Sequence, residues 1–398
     1  MGLPSIILFG NFNIVAFSID FISFYALYLV ISVSLNLEFG YAGIPNFGKV
    51  LFIAGGAAFA GSISGRLAAY VLNIPTHGDF IANNPGIMIA VNSKLPSVPW
   101  FVILMFVIAI LIGAGIGAMF GYLASFPAIR LREDYLGLLL LAVAQFFQVI
   151  LLNYAPLTGG SQNIAVPNPY QYFSNLGIGY ATLVEAAVMG VLAIFVYVYA
   201  ERIARSPLAR TLKAVRESED AARALGKDDT AFRRNILIVA SSIAGIAGAV
   251  YTFQLAVVTY DTWTRFAWTF WPFLIVIIGG VGNNLGVAVG TFFFALVYKG
   301  LLIIQPDLQP YLGGIDPNWL TYLLFATLLI GILMLRPEGL VKEKSAPTLS
   351  RGKLMSIVGA AGGDQDGGTS TRGRIRKAFP RLRELLRRRP KEPGPDSG

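Results

Sequence analysis

The chain has 398 residues, 55% of them hydrophobic and 13% charged, with a formal net charge of +9 and a mean hydropathy of +0.63. A soluble domain carries about 25% charged residues, so this composition excludes an ordinary soluble enzyme. The lack of any cysteine excludes disulfides and thiolate metal sites.

Apolar runs of ~18 residues or more read as bilayer spans, and neither 99–129 nor 135–184 holds a single charge. In chain order the predicted spans are 15–37, 48–70, 99–124, 135–154, 178–200, 235–257, 267–281, 284–304 and 318–336. Residues 1–36 contain one ionisable side chain, Asp20, and can hold one long span or two short ones, so the total is eight to ten. The N-terminus lacks a basic leader and a small-residue cleavage site, and reads as a first span. Backbone groups cannot go unpaired in hydrocarbon, and nothing alternates with a barrel's period of two. The expected fold is therefore an all-α, polytopic integral membrane protein. The expected division is a membrane domain over 1–340 and a flexible basic tail over 341–398.

Between the first two spans, Gly43-Ile44-Pro45-Asn46-Phe47-Gly48-Lys49 fits the first seven positions of a phosphate loop, but Val50 stands where a Mg²⁺-binding hydroxyl is required. We read it as a glycine-rich start of a span, and Gly55, Gly56, Gly113, Gly115 and Gly117 as close-packing positions. No nucleotide or other cofactor is expected. His77, the one histidine, reads as a solvated loop residue. Asp20 and Glu185 are the ionisable groups placed inside predicted spans, too few for a proton relay.

The stretch 201–234 differs from all of this, with nine basic and six acidic residues. Within it Ser206 is a natural N-cap, Pro207 suits the first helical position, and Gly226 suits the end. Leu208, Leu212, Val215, Ala222 and Leu225 recur at helical spacing, which predicts one amphipathic helix over 206–227. Lying on lipid and docking a soluble partner are both open to it, although mixed charge argues against simple lipid attraction. With 201–234 inside, twenty-seven Lys and Arg fall inside and four (Arg66, Lys94, Arg265, Lys299) outside. The positive-inside rule thus puts this loop and the C-terminus in the cytoplasm. The outer loops 71–98 and 305–317 suit either plain connection or reception of a solute or binding protein. The tail runs from a linker, 359–373, into the basic segment 374–390, which reads either as a lipid-facing helix or as a disordered topology anchor. Nucleic acid is not an expected partner.

Four stretches resemble, in order, the branched-chain amino acid permease family of ABC importers: NLEFGYAGIPNFG (36–48), RLREDYLGLLLLAVAQFFQVILLNYAPLTGGSQN (130–163), RSPLARTLKAVRESEDAARALG (205–226) and GGVGNNLGVAVG (279–290). The resemblance covers about 20–340. Asp220-Ala221-Ala222, three residues on to Gly226 and nine further to Ile236, resembles the loop through which such permeases meet their ATPase. Asp220 stands for the usual Glu, Leu237-Ile238 for Leu-Pro, and Glu133 and Ala209 for Gly.

The resemblance implies a multi-pass subunit of the cytoplasmic membrane that is not itself an enzyme. Its implied partners are ABC ATPase subunits, a second permease subunit and an extracytoplasmic solute-binding protein, beside membrane lipid. It makes Arg216, Glu217, Asp220, Ala221, Ala222 and Gly226 the expected ATPase-coupling residues. Polar or glycine-broken segments at membrane depth can line a solute path, which nominates Asn46, Phe47, Thr158, Gly159, Gly160, Asn163 and Asn283, each with a turn or packing role as the alternative. A stand-alone secondary carrier or channel for amino acids, urea or short amides remains the competing function.

Overall fold

The computed structural model describes residues 13–343 apart from 77, 132, 178, 309–315, 317 and 337. His77 and the tail segments 359–373 and 374–390 lie outside the described residues.

Helices carry nearly all of the described chain. The long ones are α1 (Ile14–Leu35), α2 (Lys49–Val71), α4 (Pro99–Arg130), α5 (Glu133–Asn153), α7 (Tyr180–Arg205), α10 (Asp229–Leu255) and α12 (Asn284–Leu308). Each is long and apolar enough to cross a bilayer, α1 continuing through a π-helical stretch to Tyr41. Two shorter apolar helices follow the same alternation, Phe266–Gly279 and α13 (Asn318–Leu335). The first of these joins a π turn, Phe266–Phe270, to α11 (Trp271–Gly279). Its 14 residues reach only ~21 Å at 1.5 Å per residue, short of the ~30 Å hydrocarbon core. Its first turns are enclosed by protein, with Trp268, Thr269 and Trp271 buried. Each predicted span overlaps a helix, seven of them long and apolar enough to cross a bilayer among the described residues, and residues 14–41 form one continuous helix.

Two helices form the centre. The most apolar windows of α2 and α10 are 78% and 72% buried, against 22–39% for the other long helices. α10 packs against α4 and α2, while α1 packs against α7 and α12. The closeness comes from small residues. A methyl at Gly56 or Gly113 would strike the backbone carbonyl of Gly245, and one at Gly117 that of Ser241. Gly115 faces open space instead.

The connections sort to two ends. At one lie 36–48, the charged loop 201–228, 279–284 and 338–343. At the other lie α3 (Asn84–Lys94), 154–177 and 256–265. The second end is pinned by a two-residue antiparallel pairing of β1 (Ile164–Ala165) with β2 (Val257–Val258) and by Asn84, whose amide both donates to and accepts from the backbone of Ala165.

The charged loop is not one helix. α8 (Pro207–Glu217) and α9 (Glu219–Ala224) are separated at Ser218, whose backbone is extended (φ −160°, ψ 106°). Ser218 accepts from the Ala221 N–H, so it caps α9 and competes with helix continuation. Pro207 does stand at the first helical turn, but the Ser206 hydroxyl donates back to the Ile203 carbonyl and makes no cap. Gly226 ends α9 with φ +74°. Its N–H reaches the Arg223 carbonyl and that of Lys227 reaches Ala222, the hydrogen-bond pair of a Schellman turn.

Candidate functional site

α1 and α2 are joined through an interruption. Residues Asn36–Tyr41 relax from α into π geometry, and the chain then runs without helix to Gly48, which precedes α2. π turns leave backbone groups free for other partners and recur at functional sites. Here they place Glu38 inside the protein. Its carboxylate accepts from the Lys49 ammonium at 3.0 Å, from the Asn46 amide at 3.0 Å and from the Ser241 hydroxyl at 3.4 Å. Both members of the ion pair are completely buried. Lys49 also approaches the Ala240 carbonyl at 3.5 Å, which in turn accepts from the Ser34 hydroxyl. The next N–H along, that of Val50, donates to Thr269 in the second π turn. Phe39 and Phe47 close one side against Phe273. α1, the interruption, α2, α10 and the segment leading to α11 are thus tied at one buried ion pair.

Sequence reasoning missed this pair. Glu38 and Lys49 flank a glycine-rich stretch that reads as a surface loop, where isolated charges look solvated. The usable signal was local: a carboxylate, an amide and an amine within twelve residues of otherwise apolar chain. Of the two groups placed in spans, Asp20 pairs with Lys299 at 2.6 Å and Glu185 is half-buried on α7.

α8 lies against the same interruption. The Arg216 guanidinium donates to the Gly40 carbonyl and, at 2.9 Å, to Glu343. Lys213 reaches Glu343 at 2.7 Å and sits 5.1 Å from the centre of the Tyr41 ring. Burial pulls the Arg216 pKa down, but the Glu343 and Glu217 carboxylates outweigh it and hold the group above its ordinary value. Glu343 belongs to a strap, 338–343, that is itself stitched down. The N–H groups of Leu340 and Val341 donate to the carbonyls of Ile278 and Gly279, and Asn283 donates to the Lys342 carbonyl. Gly43, at φ +70°, lets the chain turn directly beneath the Arg216 side chain.

The expected coupling residues divide by exposure. Ala222 is buried at 3% exposure within its own chain. Asp220, Ala221, Ala224 and Gly226 are exposed, and Leu225 is an apolar side chain left 79% exposed. Arg223 braces this small helix against Asp229 at 2.9 Å; hydrogen bonding to Asp229 and the adjoining charges raises the Arg223 pKa.

The expected path residues do not converge. Asn46 binds Glu38, and Phe47 packs on Phe270 and Phe273. Asn283 caps α12 through the N–H groups of Leu285 and Gly286. Thr158, Gly159, Gly160 and Asn163 lie at the opposite end. There Thr158 donates to the Leu151 carbonyl, and Asn163 adopts φ 60°, ψ 169° with its side-chain oxygen buried and unpartnered among the described residues. A non-glycine residue rarely occupies that backbone region. Among the described residues no cluster of acidic side chains and histidine could hold a metal ion.

Comparison with known proteins agrees with this architecture. Residues 18–333 match the family described as branched-chain amino acid transport system / permease component. The chain is 36% identical, over 86% of its length and 99% of the relative's, to the probable branched-chain amino acid transport permease protein LivM of Methanocaldococcus jannaschii. It is 28% identical to the high-affinity branched-chain amino acid transport system permease protein LivM of Salmonella typhimurium, over 63% of this chain and 59% of that one. The LivM protein of Escherichia coli is also 28% identical, over 62% and 58%. No solved structure gives a significant match.

Proposed function

This chain belongs to the branched-chain amino acid transport permease family, and from that premise we propose that it is the membrane subunit of an ATP-driven ABC importer. Its cargo on this reading is a branched-chain or closely related amino acid, and it sits in the cytoplasmic membrane with the charged loop and C-terminus inside. ATP is hydrolysed by separate ATPase subunits, a second permease completes the membrane unit, and a solute-binding protein delivers from outside.

The observation that carries the coupling role is the state of the charged loop. α8 is clamped to the Glu38 interruption through Arg216, while the next helix turns Ala221, Ala224 and Leu225 outward with nothing over them. A small-residue face tipped with a bare leucine suits insertion into a groove of a soluble partner. Force applied there reaches the buried ion pair through Arg216, Gly40 and the π turn in a few bonds. The competing secondary-carrier reading gives such a surface no task. Co-purification tests this. Ala221→Arg and Leu225→Arg change exposed positions, so both should insert and fold yet lose the ATPase subunits and ATP-driven uptake. Retention of ATPase and uptake by both well-expressed variants would refute the docking assignment.

A further inference from the structure

We propose that the end of α2 remote from the charged loop carries a shallow binding site for the amino acid itself, with Arg66 as its carboxylate-binding group. The proposal rests on the chain being an amino acid permease and assigns a place where the cargo is first held.

A cavity of about 500 Å³ opens beside the last turns of α2 and the segment that follows. That volume falls in the range of small-molecule sites. Among the described residues Arg66 is the one charged side chain lining it; Tyr70, Asn73, Ile74, Thr76 and Phe80 line it too. The guanidinium is half-buried and held still. It lies 4.8 Å from the centre of the Phe80 ring, donates twice to Ser62, and donates to the Pro156 carbonyl. These acceptors are all neutral. Among the described residues Arg66 forms no ion pair, unlike Lys299, which has Asp20. Three of its five N–H donors are engaged and two remain.

A fixed cation with spare donors, facing a cavity that has no anionic side chain among the described residues, selects for a carboxylate. The rest of the wall suits the remainder of an aliphatic amino acid. Ile74 and Phe80 offer apolar surface to a branched side chain, and the oxygens of Asn73 and Thr76 can accept from an ammonium group. The site also touches the elements that close this end of the protein. Through Pro156 it is bonded to α6 (Ala155–Thr158), which leads into the strained turn ending at Asn163. An occupant of Arg66 is therefore placed to influence the turn that precedes β1.

Saturation-transfer NMR on the purified full chain in nanodiscs of zwitterionic lipid tests the site without any ATPase, because it registers millimolar ligands. Leucine should receive saturation. Leucinamide, which keeps the ammonium and the isobutyl group but lacks the carboxylate, should bind about tenfold more weakly or worse. Arg66→Gln should lose the leucine signal and Arg66→Lys should keep part of it, with melting curves checking that each is folded. The comparison of leucine with leucinamide on the unmodified chain stands even if Arg66→Gln fails to fold. Equal signals from the two ligands, no leucine signal, or a full leucine signal in folded Arg66→Gln would overturn the proposal. So would displacement of leucine by phosphatidylglycerol in the disc, which would make this a lipid headgroup site. Arg66-dependent leucine binding in a chain that shows no ATP-driven uptake would count against the importer reading and leave the site standing.

Discussion

Lys49→Met should be among the most damaging single substitutions in the chain. Glu38 and Lys49 are both fully buried and meet at 3.0 Å, so methionine removes the charge at similar volume and leaves a carboxylate enclosed with only Asn46 and Ser241 to satisfy it. Breaking a buried pair in this way costs about 3–5 kcal/mol, whereas removing both partners is often near neutral. Glu38→Gln should fall at the lower end of that range, because the glutamine oxygen can still accept from Asn46 and Lys49. The double variant Glu38→Gln, Lys49→Met should recover well over half of the Lys49→Met loss. The assay is a double-mutant cycle on the detergent-solubilised chain, with unfolding followed by tryptophan fluorescence. Four of the described tryptophans serve as reporters, since Trp263, Trp268 and Trp271 are buried near α10 and α11 and Trp319 lies on α13. A Lys49→Met variant within ~1 kcal/mol of the parent, or a double variant whose loss equals the sum of the singles, would refute the claim that this pair holds the interruption together.

The remaining expectations concern the charged loop and the strap. Ala222→Arg should differ in kind from Ala221→Arg: it forces a cation into a position 3% exposed, so protease sensitivity of the loop should rise before any partner is added. Truncation after residue 344 should leave uptake largely intact, because the family match ends at residue 333 and the contacts of Lys342 and Glu343 are kept. Truncation after 336 removes those contacts and should cut uptake strongly while leaving the helices inserted. Equal activity of the two truncations, measured as uptake per membrane-inserted chain, would show that the strap carries no load.

The helices were legible because burial in lipid writes itself into long uncharged runs. Residues 99–129 and 135–184 carry no charge, and only helices satisfy such backbone in a bilayer. The same logic made Gly56, Gly113 and Gly117 readable as packing positions. It failed at Ser218, where the apolar stripe from Leu208 to Leu225 continues across the break and hydrophobic spacing carries no trace of a serine capping the next helix. It failed again at Glu38 and Lys49, since a charge beside glycines looks like a loop whether water or another side chain answers it. Only the three-dimensional meeting of the interruption with α10 distinguishes the two. The strap was invisible for a related reason: its backbone hydrogen bonds to Ile278 and Gly279 are not encoded by residue identity, and its Glu343 meets Arg216 only across 127 positions of chain. Among the path candidates, polarity alone did not show that Asn46 and Asn283 are amides engaged with the chain's own carboxylate and backbone.

The claim that this permease depends on outside energy is tested most directly by reconstitution. The chain alone, in liposomes carrying a proton or sodium gradient, should neither bind ATP nor accumulate leucine. Adding the ATPase subunits, the second permease and the binding protein, with ATP on the side of the charged loop, should produce uptake against a gradient. Gradient-driven accumulation by the chain alone would contradict the account and establish a secondary carrier in its place.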